Sequence, residues 1–213
     1  MTQAIDELLG EVTSAVSAST EQTTASQALA QEVAGKMGAI DAKVAEAKLE
    51  LDGYIADSEV IGDGSAGSRR LNVFRTMIYE GKDHVPESEK PDNWVPTNGP
   101  LYLHFKTGLN TAVDVSMFHY RIGGYAYGQS TIIDETLVGY SYEPSNTIHN
   151  INTDGNLEPV VYRAPNGDVY LRIKSLNLYF TGLYIDAMHI TGGLPDKDSI
   201  ELTISPNETL NNY

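Results

Sequence analysis

The sequence predicts an α plus all-β protein, in which a long N-terminal helix forms a coiled coil and an antiparallel β-sandwich follows. Three observations predict this fold class. Apolar residues recur every seven positions near the N-terminus, the apolar period later changes to two, and a Gly/Ser-rich segment separates the two patterns. We therefore divide the chain into a stalk at residues 1–58, a linker at 59–70 and a β-domain at 71–213.

The heptad repeat runs from Ile5 to Tyr54 without a slip, in alternating steps of four and three residues. A 3.5-residue repeat keeps one side of a helix against its partner as the strands supercoil. The alternative is a long helix that folds back on the β-domain. The apolar residues expected to form the seam between helices are Ile5, Leu9, Val12, Val16, Val33, Met37, Ile40, Val44 and Leu51.

The residue types along this seam favour three strands. Val12, Val33 and Ile40 are β-branched residues at d positions, where a parallel dimer prefers Leu. Between Ser19 and Ser26 the seam is polar, so this stretch is expected to be the weakest part of the stalk. The sequence thus predicts a homotrimer with a weak middle.

Composition excludes several functional classes. The formal net charge is -15, which would repel phosphate backbones and anionic lipid, so we expect neither nucleic-acid binding nor membrane-surface binding. No run of 18 apolar residues and no signal-peptide pattern occurs, so we expect synthesis in a cytoplasm without membrane insertion. Because the chain has no Cys, its stability has to come from packing and assembly.

From residue 71 onward, short runs of alternating apolar residues predict an antiparallel, jelly-roll-like sandwich. The predicted strands are 71–80, 101–106, 113–122, 131–142, 160–163, 168–175, 178–190 and 199–204. Asn166-Gly167 is the strongest hairpin signal, and the proline-rich stretch 81–100 predicts an ordered surface loop. Weaker hairpin signals occur at Gly123-Gly124, Asp154–Asn156 and Gly192-Gly193.

The nucleotide-binding, metal-binding and catalytic motifs of the sequence are weak signals. Residues Gly62–Gly67 match G-x-G-x-x-G, but a dinucleotide site needs a strand before the motif and a helix after it. The five His residues are dispersed, so we expect no metal and no cofactor; a site built from His104, His119 and His189 on separate strands is the alternative. Without a Gly-x-Ser-x-Gly elbow or clustered carboxylates, we do not expect an enzyme.

Aromatic residues in and near predicted turns are the candidates for binding. Tyr and Trp combine a rigid ring with a polar edge, which suits stacking against sugars or anchoring a protein partner. The alternative is core packing or a subunit interface. The candidate ligand contacts are Trp94, Tyr125, Tyr127, Tyr140 and Tyr142.

A heptad stalk, a Gly-rich hinge at Gly62–Gly67 and a Tyr-rich, cysteine-free β-domain together resemble the bacteriophage tail-fibre and related virion-appendage proteins. The similarity covers the full length in architecture and carries no diagnostic motif. It implies a homotrimeric structural protein of the virion, made in the host cytoplasm, whose stalk attaches to other virion proteins. Its heads would bind a host-surface glycan or protein. The His-x-His metal sites of some fibre tips are absent, so no metal is implied.

The resemblance leaves other locations open. The chain is short for a complete tail fibre, which also fits a collar fibre, a head fibre or a connector that binds other virion proteins without a receptor. A fibre of a phage-like contractile injection particle is a further alternative. An enzymatic depolymerase would need a cleft with paired carboxylates, and we do not expect one.

Overall fold

The computed structural model describes residues 2–63, 65, 67–191, 194–197 and 199–210. The chain forms two compact units, Met1–Ala56 and Asp57–Tyr213. The first consists of helix, and the strands lie in the second. The predicted class, one N-terminal helix followed by antiparallel sheets, is confirmed at this level.

A single helix, α1, spans Thr2–Ser58. No Pro interrupts it, and it is rich in Ala and Glu, which favour helix. Every side chain from residue 3 to 55 is exposed in the single chain, and the exposed fraction of the seam residues ranges from 48% at Val33 to 66% at Leu9. In the described residues, no helix is long and apolar enough to cross a membrane. Helices in water gain most of their stability from packing an apolar face.

Threonine hydroxyls in the first half of α1 bond back to the helix itself. Thr20 donates to the Val16 carbonyl at 2.8 Å, and Thr23 donates to the Ser19 carbonyl at 2.9 Å. Thr13 and Thr24 make the same bond to the carbonyl four residues earlier. These hydroxyls are therefore satisfied without water.

The strands of the described residues are β1 Val60–Ile61, β2 Arg69–Glu80, β3 Leu101–Asn110, β4 Val115–Ala126, β5 Thr131–Tyr142, β6 Thr147–Asp154, β7 Val160–Arg163, β8 Asp168–Ser175, β9 Tyr179–His189 and β10 Glu201–Ser205. They form a six-stranded sheet in the order β1-β2-β9-β4-β5-β6 and a four-stranded sheet in the order β10-β3-β8-β7. Every pairing is antiparallel.

The hydrophobic core lies between the two sheets. Phe118, Tyr120 and Ile122 alternate with exposed or half-buried residues along β4, so they share its inner face. The ring of Phe74, from the six-stranded sheet, meets the edge of Phe105, from the four-stranded sheet, with centroids 5.8 Å apart. Residues of both sheets belong to one buried cluster. Each large side chain buried there stabilises the fold by about 1.5–3 kcal/mol.

The hairpin predicted at Asn166-Gly167 is present, because Gly167 adopts a φ of 94° between β7 and β8. Strand β6 was missed by the sequence analysis. Its only apolar residues are Ile148 and Ile151, and most of its side chains are exposed at the edge of the sheet. An edge strand of this kind lacks the alternation from which the other strands were predicted.

Two of the weaker hairpin signals were wrong. Gly123-Gly124 lies inside β4, paired on one side with β5 and on the other with β9. Gly155, with a φ of 147°, follows β6 and precedes β7, and these two strands belong to different sheets. The third signal, Gly192-Gly193, lies outside the described residues.

The proline-rich stretch 81–100 is an ordered excursion with short 3₁₀ turns at Gly81–His84 and Glu87–Glu89. The carboxylate of Glu89 is buried, and it accepts a hydrogen bond from the Ser205 hydroxyl at 2.8 Å. The side-chain amide of Asn207 donates to the Glu89 carbonyl at 2.9 Å. These bonds fix the start of the segment that follows β10.

That segment, residues 206–210, covers the outer face of the four-stranded sheet. Tyr102 donates its hydroxyl to the Glu208 carboxylate at 2.9 Å, and Leu210 is buried in a small cluster with Tyr170. His104 lies beneath the segment: its Nε2 is 3.1 Å from the Asn207 carbonyl and its Nδ1 is 2.8 Å from the Tyr162 hydroxyl. A carbonyl only accepts, so Nε2 carries the proton and the tyrosine donates to Nδ1.

Burial lowers the pKa of His104 from its ordinary 6.5 to about 4. A base with a lowered pKa contributes stability that is present above pH 6.5 and is lost as the pH falls toward 4, by roughly 3 kcal/mol over this window. We expect His104→Gln to make the fall in the free energy of unfolding between pH 6.5 and 4 shallower than in the wild type, as measured by urea denaturation. His84 is exposed, and His84→Gln is the control that should follow the wild type. Parallel profiles for His104→Gln and the wild type would contradict the assignment.

Candidate functional site

The outer side of the six-stranded sheet, which we call the open face, carries most of the exposed aromatic side chains of the β-domain. Along β2, Met77 and Tyr79 are exposed while Ile78 between them is buried. Along β4, Tyr125 is exposed and its neighbour Ala126 is buried. Alternation in the strands thus places large apolar groups in water on one side of the sheet.

A concave site of about 510 Å³ occupies one end of this face. We call it the aromatic cleft, and its lining residues are Met77, Tyr125, Tyr127, Tyr179, Phe180 and Gly182. Three neighbouring strands and one turn supply them, in the order β2, β9, β4 across the sheet. A mostly apolar concavity with a few polar groups is the usual form of a small-ligand site.

Strand register places a glycine at the floor of the cleft. Gly182 is the Cα partner of Met77 on one side and of Tyr125 on the other. A Cβ at this position would lie 3.4 Å from the Met77 sulfur, so a larger side chain would occupy the space between the two walls. The neighbouring Gly124 is required for a different reason, because a Cβ there would lie 2.1 Å from the Gly182 carbonyl oxygen.

Phe180 is the centre of the ring contacts around the cleft. Its centroid lies 4.7 Å from that of Tyr179, 5.3 Å from that of Tyr79 and 6.5 Å from that of Tyr127. The pairs are close to edge-on, which is a favourable arrangement worth about 0.5–1.5 kcal/mol for each pair. The cluster holds its rings in fixed positions although they are exposed to solvent.

The backbone of Phe180 is strained. Its φ is 46°, in the left-handed region that bulky residues rarely adopt. The conformation costs about 1–3 kcal/mol, and strain of this kind concentrates at functional sites. The side chain is 40% exposed, so burial offsets only part of that cost. Strain at an exposed ring is an observation in favour of a binding site.

Side-chain amides position the turn that carries Tyr127. The Leu176 amide donates to the Gln129 side-chain oxygen at 2.9 Å. The Asn177 side chain donates to the Gly128 carbonyl at 3.1 Å. These bonds attach residues 127–130 to the segment that leads into β9, and Ser130 ends the turn with a left-handed φ of 51°. Tyr127 is thereby held beside Tyr179, with centroids 6.3 Å apart.

The structure brings together only two of the five aromatic residues proposed from the sequence. Tyr125 and Tyr127 both line the cleft. Tyr140 and Tyr142 lie on β5 with centroids 5.5 Å apart, and Tyr142 contacts His149 on β6. Trp94 packs partly buried against the core, with the Lys90 ammonium 5.2 Å from its ring centre. These three residues do not line the aromatic cleft.

Sequence reasoning missed Met77, Tyr179, Phe180 and Gly182. Tyr179 and Phe180 fell in a predicted strand, and no feature of the strand alone distinguishes a core ring from an exposed one. The missing information was strand register, which the sequence does not encode locally. Among the described residues, no three His, Asp or Glu side chains group as metal ligands would.

Comparisons with protein-family models, with curated proteins and with solved structures find no match to this chain.

A pair of substitutions measures the strain at Phe180. In an ordinary strand, Gly is less stable than Ala by about 0.5–1 kcal/mol. At a φ of 46° we expect the reverse, with Phe180→Gly more stable than Phe180→Ala by about 1 kcal/mol in denaturant unfolding. The same pair at Tyr184, an exposed position of β9 without positive φ, should keep the ordinary order. The ordinary order at both positions would show that Phe180 is unstrained.

Proposed function

We propose that the protein is a homotrimeric virion appendage, a fibre protein whose jelly-roll-like head binds a host-surface glycan in the aromatic cleft. The exposed heptad seam of α1 is the observation that carries the proposal. A helix of 57 residues whose apolar seam is exposed to water is stabilised when two further copies cover that seam. The stalk then attaches to other virion proteins through its N-terminal part.

The aromatic cleft supports the binding role of the head. Exposed tyrosine rings pack against the apolar face of a sugar, while their hydroxyls remain available for hydrogen bonds. One such cleft gives weak binding on its own. Three heads on one stalk present it three times, and simultaneous engagement raises the avidity when receptor spacing allows it.

A connector protein without a receptor is the second candidate, and a different part of the open face favours it. Val115 and Met117 are 42% and 48% exposed, and they pair with the β5 tyrosines Tyr142 and Tyr140. This apolar area suits a protein partner. Binding of the purified protein to host cells supports the first candidate, whereas binding only to other virion proteins supports the second.

The trimer is tested by placing a charge in the seam. Val44→Asp should dissociate the assembly, because three carboxylates would be buried near one axis. Light scattering of the full chain should give three copies for the wild type and one for the variant. Ala45→Asp adds the same charge beside the seam and should leave the trimer intact. A wild type that is a single compact chain, with its helix folded back, would overturn the proposal.

Binding in the cleft is tested by filling it. Gly182→Val places a β-branched residue, which strands accept, into the space between Met77 and Tyr125. On an array of bacterial surface polysaccharides, we expect the full-length wild type to bind some members and Gly182→Val to lose at least tenfold in signal with little change in melting temperature. Thr136→Val, on β5 of the same face, is the control and should bind as the wild type does. Retained binding by Gly182→Val would place the glycan elsewhere.

A further inference from the structure

Arg75 lies at the edge of the aromatic cleft on the open face. It precedes Met77 by two residues on β2, so the two side chains leave the same side of the sheet about 6.5 Å apart along the strand. Across the sheet its Cα partner is Tyr184, whose ring lies over Gly123. A cation therefore adjoins the apolar floor and an additional tyrosine ring.

The guanidinium of Arg75 is exposed, and it has no hydrogen-bond or ion-pair partner in the part of the chain that the structure describes. Arg121, another arginine of this face, is engaged, because it donates from Nε and Nη2 to the Asp134 carboxylate at 2.9 and 3.0 Å. That contact lowers the pKa of Asp134 below its ordinary value. Arg75 keeps its donors available for a ligand.

The charge around Arg75 is unusual for this chain. The sequence has 29 acidic residues against 14 basic ones, and yet no carboxylate lines the described cleft. Surfaces of such an acidic protein repel anionic ligands unless a cation is placed where the ligand binds. The apolar cleft thus adjoins one positive charge, on Arg75, that has no ionic partner among the described residues.

We infer that the cleft takes a carboxylated saccharide, such as a uronic or sialic acid unit of a polysaccharide. The sugar ring packs over Gly182 between Met77 and Tyr125, and its carboxylate pairs with Arg75. A planar guanidinium binds a carboxylate through two parallel hydrogen bonds, which gives orientation as well as affinity. This inference rests on the proposed function and specifies its ligand class.

The test compares acidic polymers with their neutral forms. Polygalacturonate, hyaluronan and polysialic acid are each immobilised beside the carboxyl-reduced polymer, in which the charge is removed and the ring is retained. We expect the full-length wild type to bind at least one acidic polymer 10- to 100-fold more tightly than its reduced form. Arg75→Gln should abolish this preference, and Arg75→Lys should restore part of it. Lys36→Gln, which removes the same charge from the helix, should behave as the wild type does.

The outcomes separate the two proposals. Equal binding of acidic and reduced polymers, lost in Gly182→Val, would overturn the carboxylate inference and leave glycan binding in the cleft intact. A preference for the acidic form that survives Arg75→Gln would also overturn it. Binding of none of the six polymers would overturn the carboxylate inference, and an absence of binding on the array of bacterial polysaccharides as well would overturn the saccharide site.

Discussion

The β-domain depends on burying the inner faces of its two sheets against each other. Ile122 of β4 and Ile185 of β9 are Cα partners and are fully buried in the core. Because side chains alternate along a strand, a slip of one residue would expose Ile185 and turn the open-face residues inward. Burial on one side of the six-stranded sheet thus decides which rings are exposed on the other. The aromatic cleft is a consequence of core packing as well as of its own contacts.

Features formed by a single helix or strand were predictable from the sequence, whereas arrangements that join several strands were not. The seven-residue period predicted a long helix, and alternation predicted most strands to within a few residues. The glycine pair Gly123-Gly124 predicts a turn, because Gly-Gly between apolar runs is a turn signal. In the sheet these glycines admit the Tyr184 ring and the Gly182 carbonyl, which are distant in sequence.

The same limit applies to the site. Tyr125 and Tyr127 were identified because they lie close together in the chain beside a glycine pair. Their partner Phe180 joins them only through the pairing of β9 with β4, and Tyr79 joins only through the pairing of β9 with β2. Composition identified tyrosine as the relevant residue type. The register between paired strands decides which tyrosines come together.

The two sheets have different surroundings on their outer sides. Residues 206–210 and the buried His104 seal the four-stranded sheet, so its aromatic residues Tyr102 and Tyr170 contribute to stability. The open face of the six-stranded sheet keeps apolar rings in water and holds Phe180 in an unfavourable backbone conformation. Proteins retain such costs where a ligand or partner offsets them.

The threonine bonds within α1 bear on the stiffness of the trimeric stalk that we propose. The Thr20 and Thr23 hydroxyls donate hydrogen bonds to carbonyls of the preceding turn, and bonds of this type tend to bend helices. They occur where the seam is polar, so neighbouring chains in the proposed trimer hold this stretch least firmly. In the proposed trimer, the polar stretch would therefore bend more easily than the apolar segments on either side of it.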